Sequence, residues 1–467
     1  MAEQPLMPRE QDLPLFVDLY ELAMAQAYWR SGMDGEAVFS LFFRKLPEHR
    51  NFILACGQQQ VARVIESLRF TEEHIGRLRQ LERFDDRFLD WLRHWRFTGS
   101  VQAVPEGTPV FPQEPLLEVR APVIEAQILE SLVMNYVHLE SALASKAVRH
   151  VLAAEGRPVV DFGMRRMHGL DSAWRGVRAY RVAGLAGTSN IQAGLDFGLP
   201  VKGTMAHSFV QACEDEMAAF RMYAELYPGT TLLVDTYDTQ GAVRNIIRWL
   251  KENPEVDIGG IRLDSGNLGD EARACRRLLD EAGLDRIRIM ASGGLDEYQI
   301  EALVSAGAPI DGFGVGTAIG VANDAPAIEL AYKLTAYRGE PRMKKSTGKR
   351  SWPCPKQVFR QVDASGCMQG DLIAEAHEAG DGTPLLQPLL QPLMTDGRLV
   401  EGAIASLEDQ VTHARGAVAA LPQEQKRLAP AREAYPVRFS ESLKQQQVRT
   451  LERIAHLQEW HYSDQDD

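Results

Sequence analysis

Between residues 150 and 335, short apolar runs alternate with helical patterns, and this alternation restricts the possible fold more than any other feature. Each run ends in a polar or glycine-rich cluster: RPVVDF, LPVKGT, TTLLVDTYD, DIGGIRLDSG, IRIMASGG and DGFGVGT. Alternating strands and helices predict a parallel α/β sheet. Because the region has no GxGxxG fingerprint, the pattern favours a (β/α) barrel over a dinucleotide-binding sheet. Active sites of such barrels lie at the carboxyl ends of the strands, where these clusters occur.

Two further regions flank the alternating one. Residues 1–149 show a helix, a strand pair, more helices, a β-rich stretch with glycine and proline turns, and most of a long helix. Residues 336–467 begin with basic residues and prolines and end in a polar helix and an acidic tail. We therefore predict domain divisions at 149/150 and 335/336.

The composition argues against several partners and locations. A formal net charge of −13 disfavours nucleic acid or an anionic membrane, but not small anionic substrates, which need only a local basic pocket. No apolar run is long enough to span a membrane, and the charged, proline-containing start is unlike a signal peptide. The five cysteines include no CxxC pair, which disfavours a zinc knuckle or redox dithiol and fits a reducing compartment. We expect a cytoplasmic protein.

Charged residues follow two of the predicted strands. Arg262 and Asp264 suit a phosphorylated sugar, because a guanidinium holds anionic oxygens while a carboxylate binds ribose hydroxyls or a metal. The alternative is a structural ion pair at the barrel rim. Asp235 is a candidate to orient a histidine or bind a cation. Asp238 is better explained as the N-cap of the next helix.

Three other strand ends carry residues suited to a flat anion or a phosphate. Phe162 with Arg165 would suit a flat anionic ring, unless they are a core phenylalanine and a surface ion pair. The last two strands end in glycine-rich turns, where (β/α) barrels frequently bind phosphate through backbone N–H groups. Tight strand–helix turns are the alternative for these four residues, which are Gly293, Gly294, Gly316 and Thr317.

A histidine, His207, lies between an apolar run and a helical pattern. The spacing of Ser208 and Gln211 is that of a capping box and predicts a helix from Ser208. Its buried face would carry Phe209, Cys213, Met217 and Phe220. A helix N-terminus keeps a ring nitrogen unprotonated and nucleophilic, and it also favours a phosphoryl group attached there. The alternative is a hydrogen-bonded core histidine.

Taken in order, these motifs resemble nicotinate phosphoribosyltransferase, a type II phosphoribosyltransferase family. The resemblance covers residues from about 18 to 360 and rests on DLYELAMAQAY, the run 161–169, AGTSN, KGTMAHSF, DTYDT, RLDSG, ASGGLDEY and GFGVGT. It implies that nicotinate is joined to 5-phosphoribosyl 1-pyrophosphate to give nicotinate mononucleotide and pyrophosphate, the first step of NAD synthesis from nicotinate. It also implies Mg²⁺ and ATP hydrolysis coupled through a phosphohistidine.

The resemblance further implies an irregular (β/α) barrel with a second α/β domain built from both ends of the chain. The C-terminal segment would pack back on the N-terminal domain. Active sites would lie between the protomers of a homodimer.

Individual roles follow from the resemblance by position. His207 matches the phosphorylated histidine, and Asp235 matches its orienting acid. Asp264 matches a ribose or Mg²⁺ contact. Nicotinate and ring contacts fall on Arg262, Thr204, Phe162, and Tyr20 of the partner subunit, and the Arg165 considered above is a further candidate.

The remaining roles concern substrate choice and phosphate groups. Ser189 lies where nicotinamide-specific relatives look to carry an aspartate, so the resemblance makes it a substrate contact. The 5′-phosphate loops match Gly293, Gly294, Gly316 and Thr317. Candidates for the pyrophosphate or ATP are Arg44, Lys349 and Lys356.

Three positions depart from the family pattern, and two other functions stay open. Asn267 replaces an acid, Cys354 stands where Pro-Gly is usual, and Val17 replaces a threonine. Quinolinate phosphoribosyltransferase, which decarboxylates its substrate and uses no ATP, is one alternative. A non-catalytic sensor of phosphoribosyl pyrophosphate is the other, but binding alone would require neither Asp235 nor His207.

Overall fold

The computed structural model describes residues 9–346, 351–378 and 386–463. The chain divides into two compact units: the first contains Met1–Ser141 and Ala327–Asp467, and the second contains Ala142–Pro326. The predicted divisions at 149/150 and 335/336 instead fall inside a helix, Glu130–Ala153, and a strand, Leu330–Tyr337.

The regular elements are numbered here in chain order. The α-helices are α1 (Leu19–Arg30), α2 (Gln58–Ser67), α3 (Glu72–Arg79), α4 (Asp86–His94), α5 (Val123–Ile128), α6 (Glu130–Ala153), α7 (Leu170–Val182), α8 (Ile191–Phe197), α9 (His207–Ala212), α10 (Glu216–Leu226), α11 (Thr239–Glu252), α12 (Leu268–Glu281), α13 (Glu297–Ser305), α14 (Thr317–Gly320), α15 (Leu407–Ala419), α16 (Gln423–Lys426) and α17 (Glu441–Ser463). Two 3₁₀ helices are Glu10–Leu15 and Met164–Arg166.

The strands are β1 (Glu36–Phe43), β2 (Ile53–Leu54), β3 (Ser100–Ala103), β4 (Pro109–Val110), β5 (Leu117–Pro122), β6 (Val159–Asp161), β7 (Gly187–Thr188), β8 (Thr230–Leu233), β9 (Ile258–Leu263), β10 (Arg288–Ala291), β11 (Gly312–Val315), β12 (Leu330–Tyr337), β13 (Glu340–Pro341), β14 (Lys356–Val362), β15 (Met368–Glu375), β16 (Leu386–Pro388), β17 (Gln391–Thr395), β18 (Arg398–Leu399) and β19 (Val437–Phe439).

The second unit contains a six-stranded sheet in the order β7-β6-β11-β10-β9-β8. All its strand pairs are parallel. Helices follow the strands as the alternating pattern predicts, and β7 and β8 form the two edges. The predicted (β/α) barrel is therefore confirmed in an irregular, open form.

One predicted strand of this sheet is wrong. The run LPVKGT contributes only an isolated bridge between Val201 and Thr188. Thr188 donates its N–H to Pro200 and accepts from the N–H of Lys202, and no ladder follows in these described residues because Pro200 has no N–H to give. The strand beside β6 is instead β7, from the AGTSN motif.

The helix predicted from Ser208 is two helices. α9 begins at His207, and its N-cap, Ala206, has no side-chain acceptor, so the predicted capping box is wrong. Asp215 caps α10 by accepting from the N–H of Ala218 at 2.7 Å. This second N-cap separates the two helices. Among the four residues of the predicted apolar face, only Phe220 is buried.

The first unit is built from both ends of the chain, as the resemblance implies. Its seven-stranded sheet has the order β13-β12-β1-β5-β3-β17-β18. β12 and β17, from the C-terminal part, pair antiparallel with β1 and β3 from the N-terminal part. A four-stranded sheet, β16-β14-β15-β19, and the pair β2-β4 complete the unit.

Two observations bear on the predictions from composition. Within the described ranges, no helix is long and apolar enough to cross a membrane. All five cysteines are free thiols. Cys354 has a φ of 69°, which explains why glycine suits this position in the family pattern.

Candidate active site

Each strand of the parallel sheet is followed at its carboxyl end by residues predicted to be functional. Because these ends meet at one edge of the sheet, the fold brings the residues together. In sheet order they are Ser189 (β7), Phe162 (β6), Gly316 (β11), Gly293 (β10), Asp264 (β9) and Asp235 (β8).

Arg262 is a largely buried cation without a close carboxylate. Its side chain is 14% exposed. Its ion pair with Asp264 is long, with 3.9 Å between Nη1 and Oδ1 of the acid. One guanidinium nitrogen donates to the carbonyl of Met205 at 2.8 Å, and Cζ lies 5.9 Å from the ring centre of Phe162. The buried Nε has no hydrogen-bond partner. Burial lowers the pKa of this guanidinium, so an anionic ligand would compensate a charge that the protein leaves poorly paired.

Two carboxylates form a network beside Arg262. Oδ2 of Asp235 accepts from the N–H of Asp264 at 2.8 Å and from the hydroxyl of Ser265 at 2.7 Å. Oδ1 of Asp264 accepts from the hydroxyl of Ser292 at 2.5 Å. These contacts fix both acids on adjacent strand ends.

His207 is the first residue of α9 and is accessible, with 39% of its side chain exposed. Its Nδ1 lies 3.1 Å from Oγ1 of Thr236, and its Nε2 lies 3.8 Å from Oδ2 of Asp264. The resemblance assigned Asp235 to orient this ring, but the carboxylate of Asp235 contacts Asp264 and Ser265 instead. The predicted contact is therefore replaced by a hydroxyl on one side of the ring and Asp264 on the other.

A buried acid, Asp161, organises the strand ends near Phe162 and Ser189. Its carboxylate accepts from the N–H of Gly163 at 2.7 Å and from the hydroxyl of Thr188 at 2.7 Å. Its carbonyl accepts from the N–H of Ser189 at 2.8 Å. Burial raises the pKa of Asp161. The loops that carry the candidate ring and specificity residues are thus tied to one side chain.

The glycine turns have the backbone that a close ligand approach requires. Gly293 and Gly294 have φ values of 93° and 74°. A Cβ on Gly293 would lie 1.7 Å from the carbonyl oxygen of Asp264, whereas a Cβ on Gly294 would meet no heavy atom within 4 Å. Gly316 precedes α14, which begins at the exposed Thr317. Because of this contact and its positive φ, position 293 is compatible only with glycine.

The acids also fit a Mg²⁺ ion shared with substrate phosphates. Mg²⁺ is usually bound by one or two carboxylates plus phosphates and water. The buried Oδ1 of Asp235 has no hydrogen-bond partner, which suits such a role beside Asp264. In the residues that the structure covers, no group of three or more His, Cys, Asp or Glu could hold a metal alone. Asn267 is the N-cap of α12 and accepts from the N–H of Asp270.

Two other predicted contacts of this unit lie near the site in sequence but have weaker structural support. The hydroxyl of Thr204 donates to the carbonyl of Met205 at 3.3 Å. Arg165 is exposed in the 3₁₀ helix that follows Phe162, and its charge contributes to lowering the pKa of Arg262, after burial. Asp238 is the N-cap of α11, as predicted.

Four predicted residues belong to the other part of the chain. Tyr20 is 47% exposed near the start of α1, and Arg44 follows β1 with Cζ 5.6 Å from the ring centre of Phe42. Lys349 lies outside the described residues. Lys356 is only 3% exposed, and its Nζ lies 3.2 Å from Glu118, 3.0 Å from Ser40 and 2.7 Å from the carbonyl of Cys354.

These contacts of Lys356 correct the prediction that it binds pyrophosphate or ATP. An ammonium has three donors, and the acceptors of the first unit occupy them. Lys356 is a structural ion-pair partner.

Sequence reasoning missed four residues that the structure brings into the site. Three of them are short polar residues: Thr236, Ser265 and Ser292. Each is next in sequence to a residue predicted to be functional, and this position could have identified it. Glu216, the first residue of α10, has a buried carboxylate oxygen without a hydrogen-bond partner. Burial, with Asp238 nearby, raises the pKa of Glu216 to about 7.

A parallel (β/α) barrel with basic, acidic and glycine-rich strand ends is typical of barrel enzymes that act on phosphorylated substrates. Two family models match the chain: the nicotinate phosphoribosyltransferase N-terminal domain over residues 15–138 and the nicotinate phosphoribosyltransferase family over residues 158–357. The chain belongs to the nicotinate phosphoribosyltransferase family.

Individual relatives agree with this assignment. Nicotinate phosphoribosyltransferase pncB2 of Mycobacterium tuberculosis is 49% identical over 95% of this chain and 94% of its own length. The Bacillus subtilis nicotinate phosphoribosyltransferase is 36% identical over 78% of this chain and 77% of its own length. The crystal structure of human nicotinic acid phosphoribosyltransferase superimposes with a TM-score of 0.81 at 27% identity, covering 91% of this chain and 98% of that one.

Proposed function

We propose that the protein transfers the phosphoribosyl group of 5-phosphoribosyl 1-pyrophosphate to nicotinate, the first step of NAD synthesis from nicotinate. The carrying observation is Arg262, a largely buried cation whose Nε has no partner, which lies beside an aromatic ring and 3.9 Å from Asp264. Nicotinate supplies what this pocket lacks, a carboxylate on a flat ring.

In this proposal, each strand end has a separate task. Phe162 packs on the pyridine ring while Arg262 binds its carboxylate, and Asp264 orients a ribose hydroxyl. The turns at Gly293–Gly294 and Gly316 bind the 5′-phosphate. The ring nitrogen forms a bond to the ribose C1, and the bond from C1 to pyrophosphate breaks. Asp264 and Oδ1 of Asp235 would hold Mg²⁺, which would supply positive charge to the departing pyrophosphate.

We further propose that ATP phosphorylates His207. In this step the ring proton is on Nδ1, 3.1 Å from Oγ1 of Thr236, and the lone pair on Nε2 attacks the γ-phosphorus while the bond to ADP breaks. Asp264, 3.8 Å from Nε2, stabilises the positive charge that develops on the ring. Phosphorylation then favours a conformation that binds phosphoribosyl pyrophosphate more tightly, and a tenfold gain requires about 1.4 kcal/mol.

The transfer reaction is tested by measuring nicotinate-dependent pyrophosphate release with and without ATP. We expect release with nicotinate and stimulation by ATP. Release with quinolinate and carbon dioxide formation would indicate quinolinate phosphoribosyltransferase instead. Binding of phosphoribosyl pyrophosphate without any release would indicate a sensor.

The role of His207 is tested by incubation with γ-labelled ATP. His207→Ala should lose both the acid-labile label and ATP hydrolysis, yet retain slow, ATP-independent transfer, because pyrophosphate is already a good leaving group. The exposed His377 is the matched control, and His377→Ala should be labelled normally. If His207→Ala still takes up label or still responds to ATP, His207 is structural.

Finally, we propose a homodimer in which Tyr20 reaches the site of the partner subunit. Phe16, Leu19 and Tyr20 together expose an apolar group at the start of α1, and such a group favours burial against another chain. Sedimentation should give a dimer. A mixture of Tyr20→Ala and His207→Ala protomers should regain ATP-stimulated activity, because one of the two mixed sites is intact, and failure to do so would contradict shared sites.

A further inference from the structure

The second unit contains a buried lysine that is not part of the proposed substrate site. Lys146, on α6, is 1% exposed. Its Nζ lies 2.5 Å from Oε2 of Glu297 and 2.8 Å from Oδ1 of Asp324. A buried ammonium with two carboxylates is strongly held, since little water competes for its donors. The two acids come from different elements, so Lys146 links them.

The first acid belongs to the element that carries one glycine turn. Glu297 is the first residue of α13, directly after the turn that contains Gly293 and Gly294. Asp296 and Gln299 form a capping box that fixes the start of this helix. Arg149 donates from Nε to the same carboxylate at 2.9 Å. A displacement of Glu297 would therefore move the turn with it.

The second acid belongs to the segment that carries the other turn. Backbone hydrogen bonds run without interruption from Gly316 through α14: Gly320 to Gly316, Val321 to Thr317, Asn323 to Ala318, and Ala325 to Ala322. Asp324 lies within this hydrogen-bonded segment. Its contact with Lys146 therefore acts on the Gly316–Thr317 turn.

The ion pairs around Lys146 join cations and anions of the protein itself. Lys146 and Arg149 are the cations, and Glu297 and Asp324 are the anions. His150, with Nε2 3.8 Å from Glu297, is neutral near pH 7, because burial lowers its pKa to about 4. Lys146 thus contacts two carboxylates of the protein itself, which suits it to positioning rather than to binding a ligand directly.

We propose that Lys146 is a positioning residue that holds the two glycine turns at a fixed separation, so that both bind the same phosphate of the phosphoribosyl substrate. This inference rests on the proposed function, which places that phosphate at the turns. A single ammonium suits this task because its three donors reach acceptors on separate elements.

The role of Lys146 is tested with Asp324→Ala. This variant removes the contact between Lys146 and the segment that carries the Gly316–Thr317 turn. Lys146 keeps its contact with Glu297 in this variant. Ile246→Ala, a cavity in the fully buried face of α11, is the control for a loss of stability alone. For wild type and both variants, we would measure the melting temperature, kcat, the KM values of both substrates, and the affinity for phosphoribosyl pyrophosphate by calorimetry.

Asp324→Ala should weaken the binding of phosphoribosyl pyrophosphate, with a KM and a dissociation constant each about tenfold higher. The reason is that small misplacements of binding groups have large effects. The KM of nicotinate should change less than about twofold. Unchanged affinity in Asp324→Ala, or the same weakening in Ile246→Ala, would overturn the inference while leaving the proposed function intact. If the wild-type protein binds no phosphoribosyl pyrophosphate, the proposed function fails and this inference fails with it.

Discussion

Arg262 in the second unit and Arg360 in the first, both with largely buried side chains, have opposite surroundings. Arg262, at the strand ends of the parallel sheet, donates to one carbonyl, lies 3.9 Å from the nearest paired carboxylate and leaves Nε unpartnered. Arg360, on β14, donates from Nε and from one terminal nitrogen to the carboxylate of Asp371, at 3.0 and 2.6 Å, and also to the carbonyl of Pro109.

The pKa values of the two guanidiniums reflect this difference. Burial lowers the pKa of Arg262. Burial opposes the charge of Arg360 as well, but the groups around it, above all Asp371, together raise the pKa. A matched buried pair belongs to the framework, whereas a poorly matched buried cation indicates a place where a ligand completes the pairing. The predictions below test this distinction.

The largest effect should come from the framework pair. Arg360→Met leaves the buried carboxylate of Asp371 without its cation, and breaking a buried pair costs about 3–5 kcal/mol. Chemical denaturation should show this loss in the free energy of unfolding, and Arg262→Met should lose about 1 kcal/mol or less. Equal losses in the two variants would remove the distinction.

The next effect concerns binding by Arg262. Arg262→Ala should remove a charge-assisted contact worth about 1.5–3 kcal/mol and weaken nicotinate and sugar-phosphate binding about ten- to a hundredfold. Steady-state kinetics would measure this loss, and circular dichroism would confirm that the variant is folded. Wild-type KM values in a folded variant would show that Arg262 is not an anion site.

Ser189 should determine which ring the same site accepts. An aspartate there would repel the nicotinate carboxylate and accept from the amide of nicotinamide. We expect the wild type to prefer nicotinate, and Ser189→Asp to shift the ratio of kcat/KM values about tenfold towards nicotinamide, which corresponds to about 1.4 kcal/mol. Ser189→Asn is the neutral control and should shift the ratio less. An equal loss with both substrates would show that Ser189 does not discriminate.

The smallest effect is a pH dependence of stability that arises at Glu114, which lies beside the Arg360–Asp371 pair. Glu114 is buried beside Asp371 and Arg360; burial above all, and then Asp371, raise its pKa well above the ordinary value. The folded state then binds a proton that the unfolded state releases above pH 4.5, so this group's contribution to stability falls as the pH rises. Glu114→Gln cannot release that proton. Its stability relative to wild type should increase by about 1 kcal/mol between pH 5 and pH 6, whereas parallel curves from denaturation would mean that Glu114 is ionised in the fold.

Much of the barrel and several members of its site were predictable because both depend on local patterns. Apolar runs followed by helical periodicity predict parallel strands, and residues directly after them must lie at one edge of the sheet. Arg262, Asp264 and the glycine turns are therefore placed by their position along the chain. The predicted strand at LPVKGT was wrong because Pro200 has no N–H to donate to a neighbouring strand. The predicted helix from Ser208 was wrong because the side chain of Asp215 caps a second helix.

The sequence by itself determined the family, the alternating barrel and which polar residues stand at its strand ends. Only the tertiary structure decided how those residues are paired. His207 contacts Thr236, Lys356 is buried against Glu118, and Lys146 joins Glu297 to Asp324. The physical reason is that hydrogen bonds and ion pairs depend on distances of a few ångströms between residues far apart in the chain, whereas local periodicity reports only which face or end of an element a residue occupies.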